Sequence, residues 1–472
     1  MKNIDVRVKN GQVFLDGELV KADILIKDGV IVGIHAADDD SNLPGRVEDI
    51  VALKTIDAAG KLVLPGTIDP HVHVRAPGYE EREDFLTGTM AAANGGVTTM
   101  IEQPLACPPQ YNLEILDRRV KAADESAVVD FAFYGAAGSD FPEEIMNMAQ
   151  SGKIVAFKTF LHEAPNGRDA EFIGLTMKDD VAQYQGMKYI GQSGKICGVH
   201  AENNAMVNAG IADMKAQGRI TGKAHAHSRP PITEYETVAK LLLFGEETGA
   251  KIEFCHVSTP QAMELIKQAK AKGQVVYAET CPHYLLMNDD LLDQFGPYAK
   301  CNPPLREQAL VDRMWQYVND GSVDFIGSDH APYTYEEKQK GVENIFSCPA
   351  GIPCIEMRIP LMLDAVHQGK LTLAMMVELV STNPAKIFGL YPRKGAIQIG
   401  ADADMILVDP KETYTVKTED MYTKSRKSAM VFEGLELTGR VKATIVRGRV
   451  VMENGVVDEA NKGYGQYILP RE

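Results

Sequence analysis

No stretch of this 472-residue chain stays apolar for the ~18 residues that a helical membrane crossing needs, so no such span is expected. The start, MKNIDVRVKNG, lacks the apolar h-region of a secretory signal. Positive charge is in deficit: 49 Lys and Arg against 65 Asp and Glu leave a formal charge of −16. Nucleic acids and anionic membrane surfaces are bound through clustered Lys and Arg, so neither partner is expected. The cysteines number seven, an odd count, and none has the CxxC spacing of a zinc ribbon or redox site. Most lie in or beside apolar segments and read as reduced, buried thiols of a cytoplasmic protein. Internal repeats and low-complexity stretches are missing as well.

What is present falls into two patterns. The first ~55 residues and the last ~80 alternate polar and apolar over short runs broken by Asn-Gly and Asp-Gly, a hairpin signature. These ends are expected to form one composite β-sandwich from residues 1–56 and 391–472. Between them, residues 57–390 alternate short β-branched runs with helical ones. Eight strand candidates stand in order: LVLPGTIDPHVHV, GVTTMIEQ, VDFAFYGA, IVAFKTFL, ICGVHAE, KIEFCHVS, QVVYAET and VDFIGSDH. Among the helices between them, TEYETVAKLLLFGEETG has Thr233 and Glu236 at capping-box spacing. REQALVDRMWQYVNDG puts Leu310, Val311, Met314, Tyr317 and Val318 on one face and Gly321 at its end. Eight strands alternating with helices predict a (β/α)₈ barrel, whose active site lies at the carboxyl ends of the strands.

Ionisable residues collect at those ends: His71 and His73, His200, His256 and Asp329, with Lys158 inside the fourth strand. His71 and His73 are two apart on a strand and so share a face, where two imidazoles can bind one metal ion. Four histidines and an aspartate at equivalent ends of different strands point to a metal site. Lys158 sits within the apolar run AFKTF, where a lone ammonium is costly. Either a carboxylate pairs with it, or burial lowers its pKa and the neutral amine takes up CO₂ to give a carbamate that bridges two metals.

The stretches GTIDPHVHVRAPG, GGVTTMIEQP, FKTF, VHAEN, CHVSTP, ETCPHYL, NPPLRE, GSDHAP and NPAKIFGLYPRKGAIQIGADADMILVDP resemble the cyclic amidohydrolases of the amidohydrolase superfamily. These are the allantoinases, hydantoinases, dihydropyrimidinases and dihydroorotases, and the resemblance covers nearly the whole chain. It implies one divalent metal on His71, His73, Lys158 and Asp329, and a second on Lys158, His200 and His256. Zn²⁺ suits these ligands; Co²⁺, Mn²⁺, Ni²⁺ and Fe²⁺ are alternatives. Two cations bridged by the Lys158 carbamate lower the pKa of water at the site, and Asp329 is the expected catalytic base and then acid. The resemblance also implies a homotetramer.

The substrate is a small cyclic amide whose identity is less sharply written. Arg75 matches the arginine that binds the substrate carboxylate in dihydroorotases, but EQPLACPP lacks their asparagine and Tyr333 replaces their second histidine. The tyrosine that dihydropyrimidinases and D-hydantoinases carry after the bridging lysine is missing; Leu161 and His162 stand there. IEQPLACPP is similar to allantoinases and L-hydantoinases. The resemblance implies substrate contacts at Asn302, Ala350 and Gly351 through backbone, with His162 and Arg75 as side-chain candidates. Allantoinase is the first reading, with hydantoinase or dihydropyrimidinase next and dihydroorotase after them. A non-catalytic dihydropyrimidinase-like scaffold is the rival from another class, disfavoured because every metal ligand is kept. The loop from about 331 to 348 is expected to cover the metal pocket and move more than the barrel.

Overall fold

The computed structural model describes residues 4–36, 51–165 and 167–471. Residues 1–3 and 37–50 of the expected β segment lie outside the described residues. The amino-terminal strands are β1 (Ile4–Leu15), β2 (Glu18–Lys27), β3 (Val30–Ala36), β4 (Ala52–Asp57) and β5 (Leu62–Pro65). Eight barrel strands follow: β6 (Thr67–Val72), β7 (Val97–Glu102), β8 (Asp130–Ala136), β9 (Ala156–Phe160), β10 (Ile196–His200), β11 (Lys251–Phe254), β12 (Val276–Thr280) and β13 (Phe325–Ile326). The chain ends with β14 (Met405–Thr415), β15 (Glu436–Val446), β16 (Arg449–Glu453) and β17 (Val456–Val457).

Each of the eight strand candidates forms its barrel strand. Neighbours pair in parallel from β6 round to β13. The ends meet where Val72 bridges His330, with His73 N–H donating to the His330 carbonyl at 2.9 Å. The strands are buried on both faces because helices cover the outside, so they read as continuous apolar runs. Helix Gln308–Asn319 buries Leu310, Val311, Met314, Tyr317 and Val318, the face that its period specified.

Both termini build the second unit, one nine-stranded mixed sheet in the order β17-β16-β15-β14-β5-β1-β2-β3 with β4 on β1. Strand β5 joins the two ends of the chain, running parallel to β1 and antiparallel to β14. One residue later the chain enters the barrel. That residue is Gly66, where a Cβ would lie 2.3 Å from Thr98 Oγ1 and 2.7 Å from Asp404 Cβ.

Two local expectations fail. Asn10-Gly11 is not a hairpin turn but a bulge inside β1, where the register slips between Val8 and Gly11. A Cβ on Gly11 would meet Val63 Cγ2 at 2.5 Å, so close packing of β5 selects the glycine. The hairpins turn at Asp16-Gly17 and Asp28-Gly29, all with positive φ. Nor is there a capping box at Thr233, because the helix Ile232–Thr248 starts before it. The Thr233 hydroxyl donates to the Pro230 carbonyl, and Glu236 accepts from the Asn203 amide instead.

A buried ion cluster ties barrel to sheet. Lys394 Nζ lies 2.5 Å from Asp130 at the start of β8, 2.6 Å from Asp404 and 2.9 Å from Asp402. Lys394→Met leaves buried carboxylates without their cation and is expected to lower stability by about 3–5 kcal/mol, read from the urea midpoint. A loss below about 1 kcal/mol would show the cluster to be dispensable.

All seven cysteines are free, six of them buried. Among the described residues, no helix is long and apolar enough to cross a membrane.

Candidate metal centre and active site

The barrel brings the six expected residues to one end. His71 lies in the last turn of β6 and His73 just beyond it; Lys158 is in β9, and His200 closes β10. His256 and Asp329 follow β11 and β13 on left-handed backbone, with φ of 41° and 46°. Non-glycine residues rarely hold this conformation, and outside turns it persists only where surrounding structure over-determines it. All six side chains are buried.

The imidazoles form a contiguous cluster. Ring centroids lie 5.2 Å apart for His71 and His73, 5.4 Å for His71 and His256, and 4.8 Å for His200 and His256. Burial, reinforced by the charge of Lys158, drops His71 to about 3. Burial also pushes His73 and His256 well below the usual imidazole range and lowers His200. Neutral imidazoles are the form that binds metal.

Hydrogen bonds show which nitrogens face the site. His71 Nδ1 is 2.7 Å from Glu279 Oε2, while its Nε2 is 3.3 Å from Asp329 Oδ1. His73 Nε2 is 3.4 Å from the same Asp329 oxygen. On the other side, His200 Nε2 is 2.8 Å from Glu202 Oε2, and His200 Nδ1 faces His256 Nε2 at 3.1 Å. With His71 Nδ1 and His200 Nε2 donating outward, their inward nitrogens carry bare lone pairs. A lone pair facing a carboxylate oxygen at such distance is repelled unless a proton or a cation lies between them. Ligand atoms of His71, His73 and Asp329 lie within 4.8 Å of one another. Donor type and spacing therefore fit a divalent cation bound by imidazole and carboxylate. Burial, helped by Glu279, raises Asp329 to about 6.

Lys158 departs from expectation. Burial acts to lower its ammonium, but Cys255, Glu279 and Glu253 outweigh that, and the net direction is upward. Its Nζ lies 2.9 Å from Cys255 Sγ. The apolar context of AFKTF is real along β9 only; strands β11 and β12 bring acids across the barrel interior. Burial raises Glu253 and Glu279 to about 8.

Beside His200 opens a cavity of about 610 Å³, walled in part by His162, Asn302, Ala350, Glu202 and Arg229. His162 Nδ1 donates to the Glu163 carbonyl at 2.7 Å, and its ring lies 5.6 Å from that of His200. Asn302 Oδ1 is buried with no partner among the described residues. The Gly351 N–H donates to the Lys300 carbonyl at 2.8 Å, which leaves its carbonyl as the backbone group open to other partners. Arg75 is not in the cavity wall. It is buried below, donating to the Leu105 carbonyl at 3.2 Å and lying 4.9 Å from the Tyr333 ring. The 331–348 loop supplies Phe346, Ser347 and Cys348 to the wall and is firmly anchored. Glu337 on it pairs with Arg82 at 2.7 Å, and buried Lys300 donates to its Ile345 carbonyl at 2.7 Å.

Sequence reasoning assigned no role to Glu202, Arg229, Cys255, Glu253 or Glu279. The signal for Glu279 was the one used for Lys158: an ionisable residue inside an apolar strand.

An eight-stranded α/β barrel with neutral imidazoles, an aspartate and a lysine converging at its strand ends defines a hydrolase of the amidohydrolase class. The chain belongs to the Amidohydrolase family, whose profile matches residues 62–451. It is 34% identical to L-hydantoinase of Paenarthrobacter aurescens, over 99% of this chain and 98% of that protein. It is also 34% identical to allantoinase of Bacillus licheniformis, over 99% of this chain and 100% of that one. Among solved structures, L-hydantoinase (dihydropyrimidinase) from Arthrobacter aurescens matches with a TM-score of 0.91 at 34% identity, covering 99% of this chain and 100% of the other. Dihydropyrimidinase from Brevibacillus agri NCHU1002 matches with 0.85 at 30% identity and 98% coverage of both chains.

Proposed function

We propose that this chain hydrolyses the ring amide of a cyclic ureide or imide, with allantoin as the leading substrate and hydantoins next. The observation that carries the reading is the convergence of His71, His73, His200, His256, Lys158 and Asp329 on one buried centre beside an open cavity. Full-length similarity to both allantoinases and a hydantoinase supports the same chemistry. Retention of every ligand weighs against a scaffold role.

In this reading His71, His73, Lys158 and Asp329 hold one divalent ion and Lys158, His200 and His256 the other, zinc being the first choice. When bound, these ions polarise the ring carbonyl and make water nucleophilic near neutral pH. Asp329 takes the proton of the attacking water and returns it to the leaving ring nitrogen. Its position 3.3 Å from His71 Nε2 and 3.4 Å from His73 Nε2 supports the role. Lys158 would be carboxylated in the loaded state: its ammonium, disfavoured beside a divalent cation, would lose a proton to water, and the amine would add CO₂ and release a second proton to give the carbamate. His162, Asn302 and Ala350 orient the ring from the cavity wall. The enzyme is assigned to the cytoplasm as a homotetramer.

A substrate panel tests the reading: allantoin, 5-substituted hydantoins, dihydrouracil, dihydroorotate and simple imides, with parent and Arg75→Met. Highest kcat/KM on allantoin or a hydantoin is expected, with Arg75→Met acting similarly on neutral and acidic rings. Highest parent activity on dihydroorotate, lost selectively in Arg75→Met through a raised KM, would replace this reading with dihydroorotase. No turnover of any ring by metal-loaded protein would end the enzyme reading.

A further inference from the structure

We propose that Glu279 and Glu202 are positioning residues that hold His71 and His200, a ligand from each metal set, in opposite tautomers so that different ring nitrogens face the ions. The proposal rests on the two-metal reading above and extends it to residues that contact neither metal nor substrate.

Glu279, on β12, is fully buried and reaches across the barrel end. Its Oε2 takes two hydrogen bonds: from His71 Nδ1 at 2.7 Å and from the backbone N–H of His256 at 3.0 Å. One carboxylate oxygen therefore grips the ring of a ligand in the first set and the backbone of a ligand in the second. The second grip falls where His256 has its left-handed φ of 41°. Glu202, two residues after His200, accepts from His200 Nε2 at 2.8 Å and from Arg229 Nη1 at 2.5 Å. Arg229 donates to the same oxygen, Oε2, so that oxygen is the acceptor and His200 Nε2 the donor.

The consequence is asymmetric. His71 turns Nε2 inward and His200 turns Nδ1 inward. The remaining histidines, His73 and His256, have buried Nδ1 atoms with no partner among the described residues. No carboxylate therefore backs their rings at Nδ1, while their Nε2 atoms face Asp329 and His200 respectively, and His256 is also held by the backbone bond to Glu279. Carboxylates that bond a metal-bound histidine from behind fix its tautomer and orientation, and losing one costs about 10–100-fold in metal affinity or activity. Glu279 acts on both sets, Glu202 on one.

The test uses full-length protein and measures Zn²⁺ affinity by chelator competition, the visible spectrum after Co²⁺ loading, and Tm of the metal-free form. Glu279→Ala is expected to weaken both ions about 10–100-fold and shift the cobalt bands, whereas Glu202→Ala weakens one ion only. Glu279→Gln retains a carbonyl oxygen able to accept both bonds and is expected to recover affinity to within about tenfold of the parent. Should metal-free Glu279→Ala fail to fold, Glu279→Asp decides: the carboxyl group remains but its oxygen withdraws, and affinity should still fall. Parent-like affinity and cobalt spectrum in folded Glu279→Ala or Glu279→Asp would overturn the proposal. So would a Gln variant as weak as Ala, since charge rather than positioning would then be at work. A parent that binds no metal overturns the proposed function together with this inference, a result unlike either of those.

Discussion

Asp329→Asn keeps its fold and most of its metal while turning over substrate about 10²–10⁴-fold more slowly, the range that a positioned acid–base group supplies. The replacement is nearly isosteric. Its amide oxygen can still face His71 and His73, where Asp329 Oδ1 now lies at 3.3 and 3.4 Å. An amide, however, cannot accept a proton from water and hand it to a ring nitrogen. The loss belongs in kcat, with KM little changed, because the interaction removed is made in the transition state. Elemental analysis beside steady-state kinetics separates the outcomes. Metal lost in proportion to activity would make Asp329 a ligand only, and turnover within about tenfold of the parent would remove it from proton transfer altogether.

Lys158→Ala is expected to lose both ions and with them activity by about 10³-fold or more, since metal polarisation is worth several kcal/mol at about 1.4 kcal/mol per tenfold. Lys158 is the one residue shared by the two proposed ligand sets. Its charge adds to burial in lowering the pKa of His71, His73, His200 and His256. Short carboxylic acids soaked into the Ala variant should restore part of both metal content and activity by standing in for the carbamate. Intact-mass measurement on active, metal-loaded parent supplies the direct check. A plain amine there, or a Lys158→Ala variant that keeps its metals, would contradict a bridging carbamate.

The fold was legible because its rules are local. Alternation of period two in the ends, and apolar runs spaced by helices in the middle, follow from backbone geometry within a few residues. The donors were legible for the same reason: His71 and His73 share a face at a strand end whatever the rest of the chain does. Local reading went astray where a distant neighbour decides. Asn10-Gly11 has the turn signature, yet Val63 packs on it and makes it a bulge. Thr233 and Glu236 have capping spacing, yet the helix starts earlier and Glu236 serves Asn203.

Sequence alone thus determined the barrel, the composite terminal β unit and the six converging side chains, all properties of period, spacing and residue type, and its resemblance to the cyclic amidohydrolases implied the reaction class. Tertiary structure decided the charge and proton state of that centre. Lys158 looks isolated in AFKTF, but Cys255 after β11, with Glu279 of β12 and Glu253 of β11, raises rather than lowers its ammonium. The nitrogen that His71 turns inward is set by Glu279, 208 residues away along the chain. Hydrogen bonds and buried charges act through space over a few ångströms, so which partners meet depends on closing the barrel, and spacing along the chain carries no record of it.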